Sequence, residues 1–254
     1  MSALKSFFTA VLFVCAGPLW AADKVTVAAA ADLKFALEEV VATFNRTHPG
    51  KTVETIYGSS GKFYTQIRQG APFDMYFSAD IAYPRLLEKD GFAASPTERY
   101  AIGRIVLWSQ TRDASKMTLA DLAAPSIRKI AIANPKHAPY GKRAEEALRV
   151  AGVWDTVQDR LVLGENIAQT AQFVQTGNAD IGIIALALAL NKELAVKGGY
   201  ALIDDKLHES LDQGFIITKR AAANKLAKQF AAYMGSPEAR RIMVNYGFAL
   251  PGEK

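Results

Sequence analysis

The sequence predicts an α/β protein of two domains, built on mostly parallel sheets flanked by helices, and three observations carry that reading. β-prone runs alternate with helical patterns along the whole chain. Its 254 residues, less a short leader, suffice for two modest domains. No low-complexity linker separates the halves, so the chain is expected to cross between domains more than once, near Tyr100–Gly103 and again near Asp204–Gln213.

Each element has its own signal. Val25–Ala28 is a short β-prone run, and Leu33, Leu37, Val40, Val41 and Phe44 after it share one face at helical spacing. Thr52–Ile56 leads into a helix over Phe63–Gln69, and Phe73–Phe77 into one over Tyr83–Asp90 that begins close to Pro84. Ile102–Trp108 opens a further set: Lys129–Ala133 before a helix over Lys142–Val150, Leu161–Leu163 before Ile167–Thr176, and Asp180–Ile184 before a helix ending near Leu194. Phe215–Thr218 then precedes two closing helices, Ala222–Met234 and Pro237–Tyr246, the second with proline in its first turn. The implied division is a leader over 1–22, one discontinuous domain over 23–103 and 207–254, and a second over 104–206.

The leader reads as a cleavable export signal: Lys5, an apolar run from Phe7 to Val14, and small residues at Ala21 and Ala22 before a mature start near Asp23. The apolar run is too short to span a bilayer permanently. The sole cysteine, Cys15, falls inside this segment, so the mature chain has no thiol for catalysis and no cysteine metal site. Phe13-Val14 ahead of it argues against a lipid anchor. The formal charge of +5 is spread without a Lys/Arg block, which suits a small anion better than nucleic acid. His48, His137 and His208 share no ligand spacing.

Four strand-to-helix junctions are candidates for binding. A helix start leaves amides without intrahelical partners and carries roughly half a positive charge, so it suits an anion. The first junction, Ala30-Ala31-Asp32, has small side chains that admit a ligand to the backbone, with Asp32 either an N-cap or a direct contact. The second, Gly58-Ser59-Ser60-Gly61-Lys62, offers two hydroxyls, although serine is also an ordinary N-cap. The third, Asn134–Gly141, is stiffened by two prolines and presents Tyr140, either as a phenol donor or as packing. The fourth, Glu165-Asn166-Ile167, offers free amides. Two junctions fall in each expected domain, the arrangement a clamp needs. Charged hydrogen bonds contribute roughly 1.5–3 kcal/mol each, so about five reach the ~8 kcal/mol of micromolar affinity without a lysine or arginine.

Ala29–Leu37, Tyr57–Tyr64, the run from Gly70-Ala71-Pro72 through Ser78-Ala79-Asp80, and Asn134–Gly141 together resemble the periplasmic molybdate-binding proteins of ABC importers. The likeness extends to Tyr246-Gly247-Phe248. It implies a type II periplasmic-binding fold with the ligand cleft between domains, a tetrahedral oxyanion as ligand (molybdate, with tungstate alongside), no cofactor, no catalysis, a monomer, and a membrane permease as docking partner. Molybdenum enters only as the oxyanion, with no direct protein ligand. Carried over by position, the family's contacts fall on Ser60 with Ser59 in support, on the amides of Ala79 and Ile167, and on Tyr140, while Ala185 stands where other members place their tyrosine. The departure is at the first turn, where members carry neutral side-chain donors and this chain has Ala31 and Asp32. An ionised aspartate beside a dianion is repulsive by about 1 kcal/mol in water and by more when buried. Asp32 is therefore expected to offer its backbone amide and turn its carboxylate to the helix start, or else to accept a proton from a protonated, phosphate-like oxyanion.

Other readings have less behind them. Ser59-Ser60-Gly61-Lys62 matches the Ser-x-x-Lys spacing of exported acyl-transfer enzymes, but neither Ser-Asp-Asn nor Lys-Thr-Gly follows downstream. Gly58–Lys62 is too short for a phosphate-cradling P-loop. A same-fold binder of phosphate, sulfate or ferric ion is the nearer alternative. A ferric site wants paired tyrosines and a carboxylate or histidine, whereas Tyr57 and Tyr64 flank the serine turn and Tyr140 stands alone.

Overall fold

The computed structural model describes residues 23–195 and 198–252; the expected leader with Cys15 and its cleavage site lie outside the described residues. Two five-stranded sheets organise two lobes. The first lobe begins with β1 (Asp23–Ala30), a tight turn of 3₁₀ helix over Ala31–Leu33, α1 (Lys34–Thr47), β2 (Lys51–Gly58), α2 (Ser60–Arg68), β3 (Met75–Ser78), α3 (Ala82–Lys89) and β4 (Glu98–Gly103). The second contains β5 (Ile105–Ser109), β6 (Ile130–Ala133), α4 (Pro139–Val150), α5 (Trp154–Val157), β7 (Leu161–Gly164), α6 (Ile167–Gln175), β8 (Ile181–Ala185), α7 (Leu186–Ala189), α8 (Lys192–Ala195) and β9 (Gly199–Leu202). The chain returns to the first lobe with β10 (Leu211–Ile217), α9 (Lys225–Met234) and α10 (Pro237–Asn245).

Strand order is β2-β1-β3-β10-β4 in one sheet and β7-β6-β8-β5-β9 in the other. Both are mixed but mostly parallel in sense, with one strand in each running against the other four. β1 runs parallel to β2 and β3, and β6 parallel to β7 and β8. β10 is antiparallel to β3 and β4, and β5 to β8 and β9. The antiparallel strands border the crossings: a strand that arrives from the other lobe is not delivered by a βαβ unit, so nothing imposes the parallel sense on it.

The run Ile102–Trp108 is not one strand. β4 ends at Gly103, β5 starts at Ile105, and the two belong to different sheets. The apolar run therefore spans the passage from one sheet to the other, with Arg104 between the two strands. The helix expected to end near Leu194 is broken into α7 and α8 at Leu190-Asn191, and β9, a short half-exposed edge strand, gave no signal in the sequence.

Each lobe buries its own core. In the first, Phe77 stacks on Phe215 with ring centroids 4.7 Å apart, and Phe44 meets Phe230 edge-on at 5.2 Å. In the second, Trp108, Leu107 and Ile132 lie under α4 and α6. The second core reaches across to Ala30, Ala31 and Ala79 of the first lobe. Alanine at these places lets the two backbones approach where larger side chains would prop the lobes apart. Among the described residues no helix is long and apolar enough to cross a membrane.

Candidate functional site

The carboxyl ends of β1, β2 and β3 point at those of β6 and β7, the position where open α/β sheets bind ligands. Ala31 and Asp32 follow β1 in the tight turn, and the turn buries both. Ser59 and Ser60 follow β2: Ser59 is the N-cap of α2 in extended conformation, and Ser60 is the first helical residue. Ala79 follows β3. From the second lobe, Tyr140 sits in the first turn of α4 behind Pro139, and Ile167 opens α6 behind the N-cap Asn166. The seven expected residues all line one cavity between the lobes, so the structure brings the whole predicted set together.

The donors are already engaged with one another. Ser60 Oγ accepts the Ala79 amide at 3.0 Å, which leaves its own proton free to donate. Ser59 does not cap its helix; its hydroxyl donates to the carbonyl of His137 and lies 2.9 Å from His137 Nδ1. These bonds cross the cleft, as does Gly61 N–H to His137 O at 2.9 Å. His137 is held below its ordinary pKa by burial, with Lys62 adding to the effect and Glu165 opposing it. A neutral ring with its proton on Nδ1 completes the Ser59 contact. Lys62 and Glu165 pair across the rim, half exposed on both sides, where such pairs contribute little.

Asp32 has partners beyond those expected of it. The amides of Asp32 and Leu33 at the start of the turn lie by its carboxyl and favour the charged form. Oδ2 also accepts from Tyr140 Oη at 3.0 Å and from Gln213 Nε2 at 2.7 Å. Gln213 Oε1 accepts in turn from Tyr100 at 2.6 Å, so a buried chain of polar groups runs from β4 through β10 to α4. Asp32 is pushed up to about 6, burial outweighing the favourable bonds from Gln213 and Tyr140. Burial, and then the Asp32 charge, holds the Tyr140 phenol well above its usual range.

Gln213 is the functional candidate that the sequence reading missed. It is fully buried and joins both lobes through Asp32, Tyr140 and Tyr100. A glutamine inside the otherwise strand-like run Leu211–Ile217 was the signal that could have found it, because a polar amide is placed inside a sheet only with partners.

The cavity is about 10 Å³, room for about one water. A four-oxygen anion therefore enters only when Tyr140 parts from Asp32 or the lobes separate. Among the described residues no lysine or arginine lines it. A half-open groove of about 590 Å³ adjoins it, shares Ala31 and Asn166, and runs past Lys34 and Tyr57. Among the described residues no cluster of three or more His, Cys, Asp or Glu side chains is placed to hold a metal ion.

Residues 25–249 match the family described as bacterial extracellular solute-binding protein. The chain is 35% identical to the molybdate-binding protein ModA of Rhodobacter capsulatus, over 90% of this chain and 89% of that one. It is 33% identical to the molybdate-binding protein ModA of Azotobacter vinelandii, over 94% of each. The solved structure of the Azotobacter vinelandii periplasmic molybdate-binding protein superposes with a TM-score of 0.82 at 34% identity, covering 89% of this chain and 99% of that one.

Proposed function

The chain belongs to the bacterial extracellular solute-binding proteins, and on that premise we propose that it captures molybdate between its two lobes and delivers it to an ABC-type import permease. Tungstate, the same tetrahedral dianion in shape and charge, is the second ligand. The observation that carries this reading is the convergence of helix starts from opposite lobes, α2 at Ser60 and α6 at Ile167, on one cavity without a cation. Amides and hydroxyls there meet an anion with dipoles alone.

The protein works by binding rather than by catalysis. Ligand stabilises the closed arrangement of the lobes, and the permease recognises that arrangement. The lobes correspond to 23–103 with 207–254 and to 104–206, and the chain works as a monomer in the periplasm with no nucleic-acid partner. Ser60 donates its hydroxyl proton to the oxyanion, Ala79 fixes that hydroxyl, Ala31 and Ile167 contribute their backbone amides to the ligand, Ser59 holds the lobes together through His137, and Tyr140 exchanges Asp32 for the ligand as the cleft fills.

A thermal-shift screen of molybdate, tungstate, sulfate and phosphate on the mature chain tests this. A ligand at a hundred times its Kd stabilises the folded state by about 2.7 kcal/mol. Molybdate and tungstate are expected to raise the melting temperature most; phosphate in first place would overturn the assignment. Ser60→Ala is expected to weaken molybdate binding by about 1–3 kcal/mol, because a dry site loses a donor to a charged group. Titration calorimetry reads that loss directly.

A further inference from the structure

The cavity wall contains one group at odds with an anion. Asp32 is 1% exposed; Oδ2 carries the bonds from Tyr140 and Gln213, while the buried Oδ1 has no partner in good hydrogen-bond geometry, the amides of Asp32 and Leu33 being the nearby backbone donors to the carboxyl. A carboxylate accepts at both oxygens, so this one is short of donors even before a ligand arrives. Tyr140 cannot serve Asp32 and an oxyanion with the same proton.

Among the described residues no neighbour supplies a compensating cation. α6 and α7, packed on the turn, carry no titratable side chain; β2 offers the neutral Tyr57; Lys34 of α1 is exposed. From β4 and α4 the titratable groups facing Asp32 are the phenols of Tyr100 and Tyr140, and from β10 the neutral Gln213. His137, on the segment before α4, is neutral above its lowered pKa.

We infer that Asp32 meets the oxyanion as a neutral acid, so that capture of each dianion takes up one proton from solvent onto the carboxyl. This rests on the oxyanion reading of the cavity. The proton converts a repulsive charge into an O–H donor and gives the unpartnered Oδ1 an occupation, and Tyr140 is released to the ligand. Burial, net of the hydrogen bonds that oppose it, brings the carboxyl to about 6, and a dianion in the cavity raises it further. The sign follows by linkage. Above pH ~6 the free protein is ionised at Asp32 and the complex is not, so affinity falls by up to about tenfold per pH unit; below that, both forms carry the proton and the dependence fades.

Calorimetric titration with molybdate from pH 5.5 to 8.5, in paired buffers of low and high ionisation enthalpy, counts the protons. Molybdate is the probe because, unlike phosphate, it remains a dianion throughout this range. Uptake of about one proton per ligand is expected at pH 8, declining toward pH 5.5. Asp32→Asn, which keeps the acceptor for Tyr140 and Gln213 and offers an N–H at the second position, is expected to bind with no proton uptake and without the loss of affinity at high pH. Tight binding by the wild type with no uptake at pH 8, or uptake that persists in Asp32→Asn, overturns the inference. If the variant does not fold, the wild-type proton count decides alone. Absence of molybdate binding at every pH overturns the oxyanion reading and this inference with it, and so separates that failure from the first.

Discussion

Gly141→Ala is expected to cost the protein about 3 kcal/mol of stability or more and to abolish ligand binding in what remains folded. Gly141 lies in the first turn of α4, where helix propensity alone would favour alanine by about 1 kcal/mol. A Cβ there would stand 2.0 Å from the carbonyl oxygen of Ala133 and 2.5 Å from its carbonyl carbon. Both atoms belong to the backbone of β6, and Ala133 is fully buried, so no side chain can rotate out of the way. The helix must back off the sheet, at the upper end of overpacking costs or beyond. Its first turn carries Tyr140, so the same displacement pulls the phenol away from Asp32 and Gln213. Denaturant unfolding gives the stability loss and calorimetry the binding loss. A variant as stable as the wild type would mean that α4 does not seat on β6 this closely.

Polar atoms form the contact between the lobes on one side, Tyr140 to Asp32 and Gln213, and on the other Ser59 and Gly61 to His137. Gly103 lies under this junction: a Cβ there would fall 2.2 Å from Tyr140 Oη and 2.6 Å from Gln213 Nε2. The glycine at the crossing between the sheets therefore makes room for the polar chain that joins them.

Much of this was legible in the sequence, for identifiable reasons. The helices α1, α2, α4, α6 and α9 each bury one face, so a 3.6-residue pattern survives in the chain. The junction residues were readable because Gly, Pro and Ser at a strand-to-helix boundary favour the backbone angles and local hydrogen bonds of a turn or a cap. What escaped depended on the partner and not on the residue. Gln213 matters through Asp32, which lies 181 positions away in the chain. The bonds that Tyr140 and Gln213 make to the Asp32 carboxyl come from distant elements closing over it, which no local pattern encodes. Ile102–Trp108 reads as one apolar run although β4 and β5 lie in different sheets, because burial on both sides of Gly103 gives both strands the same apolar signature. Ser59 was legible as a turn residue, yet its engagement with His137 exists only once the lobes face each other.

Gly61→Val is expected to separate binding from stability in the opposite way to Gly141→Ala, weakening molybdate binding by about 2–4 kcal/mol while leaving the ligand-free fold intact. Gly61 is the second residue of α2, and a Cβ there would lie 2.7 Å from His137 O and 3.1 Å from His137 Cα, across the cleft. Within its own lobe the nearest obstacle is Tyr83 Oη at 3.0 Å, the end of a side chain that can move. Valine therefore obstructs the closed arrangement, whose overpacking costs roughly 1–3 kcal/mol. It also lengthens the Gly61 N–H to His137 O bond, worth about 0.5–1.5 kcal/mol. An open arrangement feels neither effect, so the loss falls on ligand affinity, because binding must then be spent on a closure that no longer fits. Gly61→Ala, with one methyl in the same place, is expected to fall between valine and wild type. Calorimetry gives the graded affinities, and thermal melts without ligand are expected to stay close to wild type. Equal affinity in all three proteins would show that the ligand is held without the contact between α2 and His137, and closure would then have to be sought elsewhere along the cleft.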